Sequence, residues 1–332
     1  MDGMTEFEKH PVLSIIIPVY NGDKFIKDAY EDIIKQNLES FEILLVDNNS
    51  TDNSVNLIEQ YCNLDSRLKY FKEKTQGAAA ARNKGIRNAK GEFIYFFDVD
   101  DQLYDNSLTV LLNCLQNDKT VDSVFGKKLV SRTRLDNRKN KKEFDIIKKE
   151  KPYWGLNWFE NLNNLEGTPS FLHRKTVFDK VGVFNEELLV GEDAEFHIRL
   201  GIKCNLLFIN QYIYVYFRHS ESTVSKTNKK ELKVFSYWPR IYKGHIPFYL
   251  KEETSKEFKI LLFRKIYGSM AKMICFTPQI NQRIKLKKRL YFETERIKKP
   301  FWVDFYINLI VITKSKFFYK FFVHYVMKNK IS

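Results

Sequence analysis

"GEFIYFFDVDDQLYD", residues 91–105, sets a run of aromatic and aliphatic side chains directly before Asp98, Asp100 and Asp101. Three carboxylates that close an apolar strand repel one another, and near a low-dielectric core that repulsion is costly. The stretch therefore predicts a buried strand, 92–99, whose end carries chemistry. Two further apolar runs, "LSIIIPVY" (13–20) and "FEILLVDN" (41–48), also lack strict alternation. All three read as strands buried on both faces, which belong to a mostly parallel sheet.

Helix-compatible stretches lie between them, over 23–36 and 51–62. Asn49, Ser50 and Thr51 in "NNSTD" are N-cap candidates for the second. A weaker strand, 68–71, precedes "QGAAAARNKGIRNAKG", an alanine-rich helix with a glycine stop. The pattern is β-α-β-α-β, the mark of an α/β fold with helices flanking the sheet. A helix near 105–117 and a strand near 121–127 follow. Residues 132–151 then interrupt with nine basic side chains, read as an exposed charged insertion. Mixed structure returns over 168–225, with a helix opening at "GEDAEFHIRLG" and a strand at "NLLFINQYIYVYF".

The expected organisation is one α/β domain over 1–225 and a helical extension over 226–332. A nucleotide-binding half at 12–127 and an acceptor half at 152–225 make up the first. The net charge of +14 is unevenly spread: residues 226–332 carry 25 Lys and Arg against 7 Asp and Glu, leaving the front of the chain acidic. A basic, aromatic rear implies a surface that meets something anionic. Its longest uncharged run in 301–330, Phe305–Thr313, is nine residues, whereas a span needs about 20. Lys with Phe, Tyr and Trp suits an interfacial helix on an anionic membrane, and equally a subunit interface in a homo-oligomer. Cys62, Cys114, Cys204 and Cys275 form no C-x-x-C pair, and "MDGMTEFEKHPVL" lacks the basic-then-apolar order of a secretion signal. Both point to the cytoplasm.

In such a sheet, ligands bind beyond the carboxyl ends of the strands. Those ends carry Tyr20-Asn21, Asp47-Asn48 and Asp98-Val99-Asp100. Two aspartates at i and i+2 present oxygens to one hard cation, Mg2+ or Mn2+, which cancels their repulsion and bridges to a diphosphate. Asp101 and Asp105 fit a turn that leads into the next helix.

"SIIIPVYNG", "VDNNSTDNS", "GAAAARNKGI", "GEFIYFFDVDD", "VGVFNEELLVGEDAEFHIRL" and "RHSESTVS" together resemble, in order and over residues 12–225, the inverting family 2 glycosyltransferases of GT-A fold. That resemblance implies a nucleotide-sugar donor, usually a UDP-sugar, a divalent cation and inversion at the anomeric carbon. It places Pro18, Tyr20 and Asn21 along the nucleotide, with Tyr20 near the base. Asp47 and Asn48 stand where the family often has two aspartates, and the asparagine donates as well as accepts. Gly77 and Arg82 line the nucleotide pocket, with Arg82 toward a phosphate. Asp98 lies near ribose and cation, Asp100 is the direct cation ligand, and His219 is a further one. Asp193 is the base that takes the acceptor proton, and Glu192 holds the acceptor. His197, four residues on, has no role.

The implied acceptor is a glycan or glycolipid of lipopolysaccharide, capsule or exopolysaccharide biosynthesis, at the inner face of the bacterial cytoplasmic membrane. An inactive glycan-binding or scaffold relative is the alternative that keeps the fold; a basic nucleic-acid-binding protein is the alternative that drops it. The second has no zinc-finger or RNA-binding signature behind it, so no nucleic-acid partner is expected. A dinucleotide enzyme is excluded because "PVYNGDKF" lacks G-x-G-x-x-G.

Overall fold

The computed structural model describes residues 10–218 and 233–331. The chain divides into two compact units, Met1–Glu186 with Phe196–Thr227, and Glu187–Glu195 with Asn228–Ser332.

The first unit begins with β1 (Leu13–Val19), α1 (Asp23–Ile34), β2 (Phe41–Asp47), α2 (Ser54–Leu64), β3 (Leu68–Lys72), α3 (Ala78–Asn88) and β4 (Phe93–Phe96). It continues through β5 (Gln102–Leu103), α4 (Ser107–Asn117), β6 (Ser123–Ser131), β7 (Ile146–Lys149) and α5 (Tyr153–Glu160). Then come β8 (Phe171–Arg174), α6 (Val177–Val181), α7 (Glu192–Lys203) and β9 (Leu206–Phe217), with α7 belonging to this unit from Phe196 onward.

All strands join one sheet, ordered β3-β2-β1-β4-β8-β6-β9-β5, with β7 also on β9. Strands β1, β2, β3 and β4 pair in parallel, and β6 and β9 share their direction, whereas β8, β5 and β7 run the other way. The parallel half is where the non-alternating runs lie. Ile15, Ile16 and Ile17 of β1 are all within 1% of complete burial, because helices cover both faces, and each contributes about 1.5–3 kcal/mol. Helix α1 buries Ile26, Ala29 and Ile33 at helical spacing against that sheet.

Register fixes the sheet edge that matters. Val19 lies opposite Asp47, and Asp47 opposite Lys72. Phe96 lies opposite Ile16, so Asp98 follows two residues beyond the last paired position of β4. The polar ends of β1, β2 and β4 thus come to one edge, as the doubly wound pattern predicts.

The basic insertion differs from its expected form. Ile146–Lys149 pairs with β9 as an edge strand. Arg138 is buried and donates to both oxygens of Asp32 at 2.6 and 2.8 Å, a bidentate pair. Its carbonyl also accepts from the Asp105 amide at 2.9 Å. The insertion is therefore tied to α1 and to the segment between β5 and α4, and only part of it is solvated.

The second unit is helical, chiefly Lys256–Phe276, Ile280–Glu293 and Phe301–Thr313. Phe258, Leu262, Ile266, Met270 and Ile274 repeat at i, i+4, i+8 and are buried with Leu290, Val303, Ile307 and Ile310. Arg283 is buried among them because its guanidinium donates to the carbonyls of Val311, Thr277 and Pro278. Among the described residues no helix is long and apolar enough to cross a membrane.

Candidate active site

Two loops at the strand ends are stitched together by side chains. The Asn21 amide donates to Ser50 Oγ at 3.0 Å, and Asn21 Oδ1 accepts from the Thr51 amide at 2.8 Å. Next to them, the Gly22 amide donates to Ser54 Oγ at 2.9 Å and the Asp23 amide to Asp52 Oδ2 at 3.1 Å. Of the residues expected to cap α2, Ser50 and Thr51 bridge to the end of β1 instead, and Asn49 Nδ2 donates to the Lys74 carbonyl at 2.9 Å. The helix starts later, at Ser54, whose amide donates to Asp52 Oδ1 at 3.0 Å. Asn21 is spent on this stitching. Pro18 stays within β1, opposite Val46. Tyr20 is 56% exposed, so it does not wedge strand against helix and its ring is open to a ligand.

Asp47 is fully buried at the end of β2. Its Oδ1 accepts from the Ser50 amide at 3.0 Å, while Oδ2 has no hydrogen-bond partner among the described residues. A buried carboxylate oxygen left without a donor is costly, so a donor from a ligand is the natural completion. Asn48 has the opposite character. Its Nδ2 donates to the carbonyls of Glu73 and Thr75 at 3.2 and 2.7 Å, and its Oδ1 accepts from the Gly77 amide at 2.7 Å. The side chain expected at the nucleotide thus spends its polar atoms on the loop from Glu73 to Gly77. This explains the asparagine: an aspartate would set its charge against two carbonyl oxygens. Asn48→Asp is expected to lower unfolding stability by about 1–3 kcal/mol, measured by urea denaturation. An unchanged midpoint would show that the amide contacts carry no weight.

Gly77, at the start of α3, has φ +135°, a region that side chains avoid, and so frees its amide for Asn48. One helical turn on, Arg82 is 5% exposed and donates from Nη2 to Asp98 Oδ1 at 2.9 Å, with its guanidinium 5.4 Å from the Phe184 ring centre. It is an interior cation that holds Asp98, rather than a helix-surface arginine.

Beyond Asp98 the chain turns, with the Asp101 amide donating to the Asp98 carbonyl at 3.0 Å. Asp101 is 1% exposed, and its Oδ1 accepts from the Phe217 amide at 3.0 Å. Burial pushes its carboxyl well above the ordinary value, and Asp98 and Asp100 push the same way, against the Phe217 amide and Arg134. Strand β5 adds to this anchor by pairing Gln102 and Leu103 with Val215 and Tyr214. Asp98 and Asp100 thereby sit on a turn fixed at both ends. As a donor set, two carboxylates fit Mg2+ or Mn2+, which bind through one or two carboxylates plus substrate phosphates. Among the described residues no three His, Cys, Asp or Glu side chains gather to hold a cation by themselves. His219 lies outside the described residues.

Arg134, counted in sequence as part of the charged insertion, lies against this turn. Its Nη2 donates to the Asp100 carbonyl at 3.3 Å, and its guanidinium lies 5.5 and 5.3 Å from the ring centres of Phe25 and Phe217. No local signal separates it from its neighbours in the run. Its partners come from distant elements and select it: the two rings, and Asp28 of α1, whose Oδ2 lies 3.6 Å from its Nε.

Glu192 and Asp193 belong to the second unit, in the first turn of α7. The turn opens at Gly191, φ +78°, where a Cβ would lie 2.6 Å from Arg240 Cδ. Arg240 therefore lies directly across Gly191. Burial lowers its pKa, and Asp193, Tyr237 and Glu192 act against that. Sequence reading did not single out Arg240. It lies 47 positions downstream of Asp193, and the bare glycine is the trace of its approach. His197 is fully buried in the first unit with its ring stacked on Phe171 at 4.1 Å, a packing position.

An open sheet whose parallel strands end in a buried carboxylate and an Asp-Val-Asp turn, closed by antiparallel strands, defines an α/β protein of GT-A fold. Residues 14–178 match the family described as "Glycosyl transferase family 2". Glycosyltransferase GlyG of Streptococcus pneumoniae is 30% identical over 223 residues, 64% of this chain and 72% of that protein. An uncharacterized glycosyltransferase of Rickettsia felis is 39% identical over 111 residues, which is 33% of this chain but only 18% of that protein. Among solved structures, S. aureus TarS 1-349 in complex with UDP-GlcNAc superposes with a TM-score of 0.66 at 18% identity, over 96% of this chain and 92% of that one. The chain belongs to the family 2 glycosyltransferases.

Proposed function

We propose that the protein transfers a sugar from a UDP-sugar to a glycan acceptor with inversion, using Mg2+ or Mn2+. The observation that carries this reading is the Asp98-Val99-Asp100 turn, with Asp98 held by Arg82 and the turn tied to β9 through Asp101. A rigid edge of that kind preorganises two oxygens for one cation. The UDP-GlcNAc in TarS supports the uridine donor.

Tyr20 stacks on the base, and the free oxygen of Asp47 accepts from its ring N–H. Asp98 and Asp100 would hold the cation, which would supply positive charge against the donor diphosphate. Arg82 keeps Asp98 oriented. Asp193 takes the proton from the acceptor hydroxyl as that oxygen bonds to the anomeric carbon, and the diphosphate leaves with the electron pair of the broken C–O bond. Glu192 orients the acceptor. The basic second unit supports a glycolipid acceptor of cell-surface polysaccharide synthesis and a peripheral position at an anionic membrane.

The test is a panel of nucleotide-sugars with Mn2+, read by nucleotide release and thermal shift. One or more UDP-sugars should raise the melting temperature and be slowly hydrolysed, with both effects lost in chelator. If no nucleotide-sugar does either, the donor assignment fails.

A further inference from the structure

We infer that the exposed aromatic face of helices Phe301–Thr313 and Lys316–Phe321 and the turn after them is the docking surface for an anionic lipid bilayer. This rests on the peripheral-membrane reading above and says which residues make the contact.

The first helix is apolar on two opposite faces. Val303, Ile307 and Ile310 are fully buried, whereas Phe301, Phe305 and Ile312, at i, i+4 and i+11, are 83%, 52% and 67% exposed. A helix that is hydrophobic all round needs two apolar neighbours, and the described residues supply one. The exposed face continues onto the next segment through touching rings. Phe305 meets Tyr306 at 5.2 Å between centroids, Tyr306 meets Phe321 at 6.1 Å, and Phe321 stacks on Phe317 and Tyr325 at 6.2 and 5.1 Å. Phe317 and Tyr325 are themselves more than half exposed. A continuous apolar patch of this kind marks an interaction surface, not scattered exposure.

Charge selects the partner. Lys314, Lys316, Lys320, Lys328 and Lys330 are exposed in the same stretch. Its one acidic residue, Asp304, accepts from the Tyr291 hydroxyl at 2.6 Å. Rings that enter the headgroup region, flanked by lysines that meet anionic lipid, are the two signals stable peripheral binding requires. A second copy of the chain fits less well, since a self-complementary contact would set the lysines against each other.

The experiment uses the full chain with vesicles of phosphatidylcholine, alone or mixed with phosphatidylglycerol, and reads flotation. Wild type should float with the mixed vesicles and not with phosphatidylcholine alone. The triple variant Phe305→Ser, Phe317→Ser, Tyr325→Ser, with charge unchanged, should bind at least about tenfold more weakly, the loss expected for removing exposed rings from an apolar contact. Lys320→Gln, Lys328→Gln and Lys330→Gln together should erase the preference for phosphatidylglycerol. If wild type does not float, the peripheral-membrane reading itself fails. If wild type floats and the ring variant floats equally, that reading stands and this face is overturned. A dimer by light scattering that dissociates in the ring variant assigns the face to a second copy instead, and also overturns it.

Discussion

Asp193→Asn is expected to lower turnover on acceptor by about 10²–10⁴-fold, the usual size of a general-base contribution, while the dissociation constant for the UDP-sugar stays unchanged. The substitution is nearly isosteric, so it isolates proton affinity from shape. Asp193 stands in the first turn of α7, where an acidic residue also favours the helix dipole, and its Oδ1 accepts from the Ala194 amide at 2.7 Å. An asparagine oxygen accepts that bond equally well, and asparagine serves helix starts as well as aspartate does. A structural role therefore predicts an active variant, and a base role predicts a dead one. Calorimetry with the donor and turnover with an acceptor-bearing membrane fraction separate the two. Wild-type turnover in Asp193→Asn would end the assignment. Within the same unit Arg240 lies directly across Gly191, so the first turn of α7 carries a guanidinium neighbour as well as its carboxylates.

Much of this was legible in the sequence because burial on both faces leaves an unmistakable trace. The runs at 13–20, 41–48 and 92–99 became β1, β2 and β4, the last ending earlier than expected because Phe97 leads directly into the Asp98 turn. Helices α1 to α4 were also legible, α2 from the polar stretch before it and α3 from its alanines and glycine stop. Other features have no local trace. Strand β5 is two residues long and β7 is exposed along its length, so neither shows a pattern; both exist because β9 offers an edge. Asn48 and Ser50 have side chains whose partners lie in other loops, and a polar residue after a strand reads the same whether it faces a ligand or a neighbouring loop. Arg134 and Arg138 were lost in a charged run for a related reason. Composition reports how many charges an insertion holds, but Phe25, Phe217 and Asp32 decide which of them leave solvent.

Asp100→Ala should reduce donor hydrolysis by at least about 10²-fold, in line with losing charge stabilisation at a developing phosphate leaving group, and abolish its response to Mn2+. Its neighbour supplies the contrast. Asp101→Asn retains an oxygen for the Phe217 amide and removes a carboxylate that is buried beside Asp98 and Asp100, so activity should persist and stability should hold or rise. These opposite outcomes follow from position on one turn. The side chain of Asp101 is enclosed and ties the turn to β9, whereas Asp98 is fixed by Arg82 and Asp100 is only half-buried on the same turn. Metal titrations of nucleotide release, with unfolding curves for both variants, read the difference. Equal loss in the two would mean that the turn acts only as a shape, and equal survival would leave the cation without its ligand. The repulsion among three adjacent carboxylates is then divided: Asp101 is buried and tethered, Asp98 is paired with an arginine, and Asp100 is the one proposed to meet a cation.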